Sequence, residues 1–170
     1  MGNILFNEFI EQSLDRINQN TSKIKSCIKE MDEKETWFSP NGHVNSVGNL
    51  ILHLCGNIRQ YIISSLGGKP DNRERDKEFS ASGGFSNAEL IMKLQDTVEE
   101  AKTIIASVGQ EDLLRIRNVQ GFSFSGIGII IHVTEHYSYH TGQIILLTKI
   151  LKDIDMGFYA GVDLNKKNSN

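Results

Sequence analysis

An all-α fold of four long helices is what the sequence predicts. Two observations carry it: apolar residues step by threes and fours through four separate segments, and glycine- or proline-marked breaks divide them. A third observation points to chemistry. Three of the chain's five histidines are set one helical turn apart in the run Ile131-His-Val-Thr-Glu-His-Tyr-Ser-Tyr-His140.

The first helix is expected over about residues 3–32, where Ile10, Leu14, Ile17, Ile24, Ile28 and Met31 form one apolar stripe. Trp37-Phe-Ser-Pro-Asn-Gly42 ends the pattern, and His43 reads as a loop residue. The second helix starts from Asn45 or Ser46 as N-cap and stops at Gly67-Gly68, burying Val47, Leu50, Ile51, Leu54, Ile58, Tyr61 and Ile62. His53 falls on the shoulder of that stripe, at the edge of the core, with Asn57 one turn further on.

Residues 67–85 have no consistent period and are rich in charge and glycine, so a long charged loop is expected between the second and third helices. Arg73 and Arg75 within it read as solvated charges. The third helix opens with a capping box, Ser86 to Glu89, and runs through Leu90, Leu94, Val98, Ala101 and Ile105 to near Gly109. Weak alternation over 113–124, with Gly121 in the middle, predicts an extended arm or small hairpin. The fourth helix spans about 125–151, and its buried face, marked by Ile129, Val133, Ile144 and Leu147, is also the face of the histidines. Three polar rings on a core-facing seam are costly unless something pairs with them. The expected organisation is one domain over 1–156 and a loosely held tail over 157–170.

Composition narrows the function. At 170 residues with a formal net charge of -3, the chain has no basic surplus for nucleic acid. No stretch approaches the roughly 18 apolar residues of a membrane span, and the N-terminus lacks a signal peptide's basic and apolar regions. Two cysteines, Cys27 and Cys55, without CxxC spacing suit a reducing cytoplasm, and Cys55 reads as a small buried residue.

Imidazoles binding one ion at about 2.0–2.1 Å cannot stand much more than about 4 Å apart, whereas eight residues of helix rise about 12 Å. His132 and His140 therefore cannot share a metal, and His136 chelates with one of them. The pair His132/His136 lies in His132-Val-Thr-Glu135-His136, an H-x-x-E-H pattern in which Glu135 would activate a zinc-bound water. That metallopeptidase register needs a carboxylate ligand downstream, where only Asp153, Asp155 and Asp163 follow. The pair His136/His140 gains a third imidazole if His53 faces it from the second helix, a set that leaves a coordination position open. Glu135 is also a candidate base, Asn57 and Gln143 extend the histidine faces by one turn, and Tyr139 is a candidate pocket residue beside His136. Arg59, Arg73 and Arg75 are weaker candidates for holding an anionic cosubstrate.

Ser46-Val-Gly-Asn-Leu-Ile-Leu-His53-Leu-Cys-Gly-Asn57 and His132-Val-Thr-Glu-His136-Tyr-Ser-Tyr-His140-Thr-Gly-Gln143 resemble the two signature segments of the DinB-like (YfiT-like) helical-bundle superfamily. Arg73-Glu-Arg-Asp-Lys-Glu-Phe79 further resembles a subgroup known only as a domain of unknown function, and the likeness spans about residues 3–155. The resemblance implies an up-down-down-up four-helix bundle, often a homodimer, holding one divalent metal, zinc or nickel, through His53, His136 and His140. His132 would then be a packing or hydrogen-bonding neighbour. It also implies a small-molecule substrate and a thiol-dependent transferase or isomerase using bacillithiol, mycothiol or glutathione, or a metal-dependent hydrolase. The competing expectation is a non-catalytic metal-stabilised binding or dimerisation module.

Overall fold

The structure, a computed structural model, describes residues 2–169, and the chain is mostly helical. Four long helical elements dominate: α1 (Gly2–Glu30), α3 (Val47–Ile58, continued by Arg59–Leu66), α5 (Asn87–Ser107) and α7 (Gly126–Lys152). Three short helices sit between them: α2 (Glu33–Thr36), α4 (Arg75–Ser80) and α6 (Gln110–Leu114). α7 lies along α1, and α3 packs against both α5 and α7 around one apolar core. No described helix is long and apolar enough to cross a membrane.

The caps explain where the long helices begin. Ser46 and Asn49 form a reciprocal capping box at the start of α3, and Ser86 and Glu89 do the same for α5. Ser125 accepts a hydrogen bond from the Gly128 amide at the start of α7. Gly126 lets that start seat directly on α6, since a side chain there would meet the backbone of Asp112 and Leu113. The predicted hairpin is present as β1 (Ile116–Val119) and β2 (Phe122–Ser125), paired antiparallel. Its two-residue turn needs positive φ at both positions, supplied by Gln120 (52°) and Gly121 (82°).

Two features depart from the sequence reading. The second long helix is α-helical only to Ile58; from Arg59 to Leu66 it is π-helical, and the Gly67 amide bonds Ile62 O at 2.8 Å, five residues back. Tyr61 lies on this wider segment, buried, with its hydroxyl donating to Gln120 Oε1 at 2.9 Å. The segment 67–85 is not a solvated loop throughout, because it contains α4 and places Glu78 inside the protein.

Candidate metal centre

His53 projects from the middle of α3, and His136 and His140 from successive turns of α7. The rotation of α7 is fixed from behind, where buried Tyr137 meets Thr21 of α1, the two hydroxyl oxygens 2.9 Å apart. Nitrogens of His53, His136 and His140 all lie within 4.8 Å of one another, and these three residues can hold a metal ion. The Nε2 atoms of His53 and His136 are 3.2 Å apart. Two nitrogens bound at about 2.0–2.1 Å to one ion lie about 2.9–3.4 Å apart between octahedral and tetrahedral angles, so this pair already has a chelating spacing.

The outer nitrogens bear on which lone pairs face inward. His53 Nδ1 stands 3.0 Å from Glu78 Oε2 and 3.1 Å from Arg73 Nη2, and His140 Nδ1 stands 2.7 Å from Gln143 Oε1. In the tautomer in which both Nδ1–H groups donate to these oxygens, each ring offers its Nε2 lone pair, as a ligating imidazole must. His136 has no such tether: its Nδ1 is buried without a hydrogen-bond partner, and packing and the Nε2 contact hold the ring.

Electrostatics favour the neutral rings that a metal requires. Burial, then the nearby His140, His53 and His132 rings and Arg73, pushes His136 down to about 3. Burial, reinforced by His53 and opposed by Gln143, also lowers His140. Burial, and the repulsion between neighbouring protonated rings, keep His136 and His140 neutral, with lone pairs available for a shared ion.

Glu78 is the residue beside the cluster that sequence reasoning missed. Its side chain is buried with that of Arg73, whose Nε donates to Oε1 at 2.8 Å and whose Nη2 donates to Oε2 at 2.8 Å. Burial pushes the Glu78 carboxyl up, but the Arg73 and His53 hydrogen bonds and charges outweigh it and hold the group below its ordinary range. The ion pair reaches α3 because of two residues there. Asn49 donates from Nδ2 to Glu78 O at 3.0 Å and Ala81 O at 2.7 Å, clamping α4 in place. Gly56 leaves the room, since a Cβ at that position would overlap the Glu78 carboxylate. Arg73, read from sequence as solvated, thus has a side chain only 3% exposed. His53, read as a core-edge residue, is buried beneath the same ion pair.

The other expected residues separate into two groups. Asn57 is buried with Nδ2 3.4 Å from His132 Nε2, and His132 stacks on Tyr61 with ring centres 4.2 Å apart. His132 thus flanks the cluster as a packing neighbour. Among the described residues, the one compact group of potential ligands is His53/His136/His140, so the H-x-x-E-H register finds no carboxylate to complete it. Glu135, the candidate base, is exposed, lines the groove between α1 and α7 with Phe9 and Arg16, and joins none of the cluster's hydrogen bonds. Tyr139 is 63% exposed and meets His140 edge-on at 5.0 Å, which puts it on the outer rim. Arg59 and Arg75 are also outside the cluster, Arg59 beside Glu100 and Arg75 over the Phe79 ring.

No curated protein matches the chain. Among solved structures, a conserved protein from Enterococcus faecalis superposes with a TM-score of 0.73 at 14% identity, covering 85% of this chain and 97% of that one. A DinB-like protein from Bacillus cereus ATCC 10987 gives 0.67 at 15% identity, with 83% and 91% covered. A DinB-like protein from Bacillus subtilis, YjoA, gives 0.65 at 12% identity, with 85% and 94% covered. At these identities the likeness is one of fold. The model of the family described as "Protein of unknown function (DUF1572)" matches residues 5–160, so the chain belongs to the DUF1572 family and shares the fold of DinB-like proteins.

Proposed function

We propose that the protein is a metal-dependent enzyme whose single divalent ion, zinc or nickel, is held by Nε2 of His53, His136 and His140, with a water or a small thiol as nucleophile. The observation that carries this reading is the tethering of the outer nitrogens by Glu78 and Gln143, which turns the Nε2 lone pairs of His53 and His140 toward the cluster. A divalent ion in such a three-imidazole set acidifies a water or thiol that takes the remaining position. Glu78 orients the His53 ring through its Nδ1 side, and Arg73 neutralises Glu78 so that the carboxylate survives burial. Asn57 and His132 present hydrogen-bonding groups beside the cluster, where they can orient a bound substrate. The reaction class is transfer or isomerisation with a low-molecular-weight thiol, or hydrolysis if water is the nucleophile.

An up-down-down-up course of the four long helices belongs to the same reading and agrees with α1 lying on α7 and α3 on α5. A homodimer is supported by an exposed apolar stripe on α7, formed by Tyr139, Leu146 and Ile150. Cytoplasmic residence suits the free, buried Cys27 and Cys55.

The test is metal content followed by reactivity. Untagged protein purified without added metal is expected to carry about one divalent ion per chain. It should conjugate bacillithiol, mycothiol or glutathione to monochlorobimane, or hydrolyse an activated ester, and lose that activity in His136→Ala. Metal-loaded protein inert in every one of these assays would overturn the catalytic reading and leave a metal-stabilised binding module.

A further inference from the structure

A cavity is lined in part by the Arg73–Glu78 pair, between α3, its π-helical continuation, α5 and the segment leading into α4. Its volume is about 450 Å³, within the usual range for small-ligand sites. The walls include Leu52, Cys55, Ile63 and Phe85, so the interior is mainly apolar. The charged lining consists of four cationic side chains, Arg59, Arg73, Lys77 and Lys93, and three carboxylates, Asp71, Glu74 and Glu78.

All of these but Lys93 have an ion-pair or hydrogen-bond partner, Asp71 through uncharged donors only. Glu78 is taken by Arg73 and His53. Glu74 pairs with Lys77 at 2.7 Å, and Asp71 accepts from Gln60 at 2.8 Å and from the Arg73 amide at 3.1 Å. Arg59 is beside Glu100 at 3.5 Å. Lys93 has no carboxylate partner among the described residues; its ammonium stands 5.6 Å from the centre of the Phe85 ring. A half-buried cation without a carboxylate partner at the edge of a mainly apolar cavity offers a place for one negative charge on an apolar body.

We infer that this cavity binds a small organic monoanion, an aryl- or alkyl-carboxylate, with its carboxylate on Lys93 and its apolar body against Leu52, Ile63 and Phe85. Glu78 forms part of the cavity wall and also holds His53, so the bound anion sits next to the ion pair that orients the candidate metal ligand. The inference rests on the cavity and its charges and stands whether or not the histidines bind metal.

The test compares 3-phenylpropionate, 3-phenylpropanol and 3-phenylpropylamine by titration of the ¹⁵N-labelled full chain, following amide shifts. Saturable binding of the carboxylate is expected, with shifts at Cys55, Gly56 and Lys93 and at least tenfold weaker binding of the alcohol and the amine. Lys93→Glu should remove the preference for the carboxylate, and Ala81→Trp, which puts bulk into the cavity wall, should block all three. Lys93 is on the outer part of α5, so its variant keeps the test open if Ala81→Trp fails to fold. Equal binding of carboxylate and alcohol, no binding at millimolar concentration, or shifts confined to α1 and α7 would overturn the assignment.

Discussion

His53 Nδ1 and Glu78 Oε2 are 3.0 Å apart, and this hydrogen bond joins the first of the two histidine-bearing helices to the charged segment that covers it. The bond does two jobs in the account above. It fixes the tautomer of His53, and it gives the buried Arg73–Glu78 pair a third member that satisfies a remaining carboxylate lone pair.

Glu78→Gln is expected to weaken metal binding about 10- to 100-fold, the usual effect of losing a carboxylate behind a ligating histidine. Competition titration against a chromogenic chelator measures it. Unchanged affinity would mean that His53 needs no such partner.

Glu78→Ala should also destabilise the fold, by roughly 3–5 kcal/mol, because it strands the Arg73 guanidinium in a buried setting. The double variant Arg73→Met/Glu78→Leu should recover most of that loss while still weakening metal binding. Urea denaturation of the three proteins separates the two effects.

Gly56→Ala reverses an ordinary rule. At an exposed helix interior the change stabilises by about 1 kcal/mol, but here the new methyl overlaps the Glu78 carboxylate and must displace the buried Arg73–Glu78 pair. A net destabilisation of about 1–3 kcal/mol is expected, with weaker metal binding. A stability gain would show that α4 moves aside without consequence.

The metal-free protein should lose stability on acidification, and the sign follows from the direction of the shifts. His132, His136 and His140 all have folded values below the ordinary histidine value of 6.5, with His136 at about 3. Below about pH 6.5 the unfolded chain takes up protons that the folded chain refuses, so their contribution is complete above that pH and declines toward the folded values. Glu78, also lowered, adds to the decline below its ordinary 4.5. Melting temperature in chelator is therefore expected to be level above pH 7 and to fall from about pH 6.5 downward. The slope should be shallower in His136→Phe. A melting temperature that rises on acidification would contradict the assignment.

Much of this site was legible in the sequence, and what was not has a physical reason. The four apolar stripes gave the long helices because α-helical burial is periodic, and helical rise alone removed His132 or His140 from a shared chelate. The π-helical turn after Ile58 left no such mark, since Tyr61 and Ile62 still read as a continuing α-helical stripe. Glu78 and Arg73 were hidden because they are buried by pairing with each other, and ion pairing has no apolar period to detect. One sequence signal is consistent with them: Gly56, a glycine inside a helix between His53 and Asn57, at the point where Glu78 and Arg73 approach closely.

The most direct test of the central claim is a crystal structure of the protein soaked or grown with zinc or nickel, with anomalous data collected at the metal edge. A single strong peak is expected within about 2.0–2.2 Å of the Nε2 atoms of His53, His136 and His140, with Glu78 and Gln143 still on the outer nitrogens. A peak between His132 and His136, or no peak at the cluster under saturating metal, would contradict it.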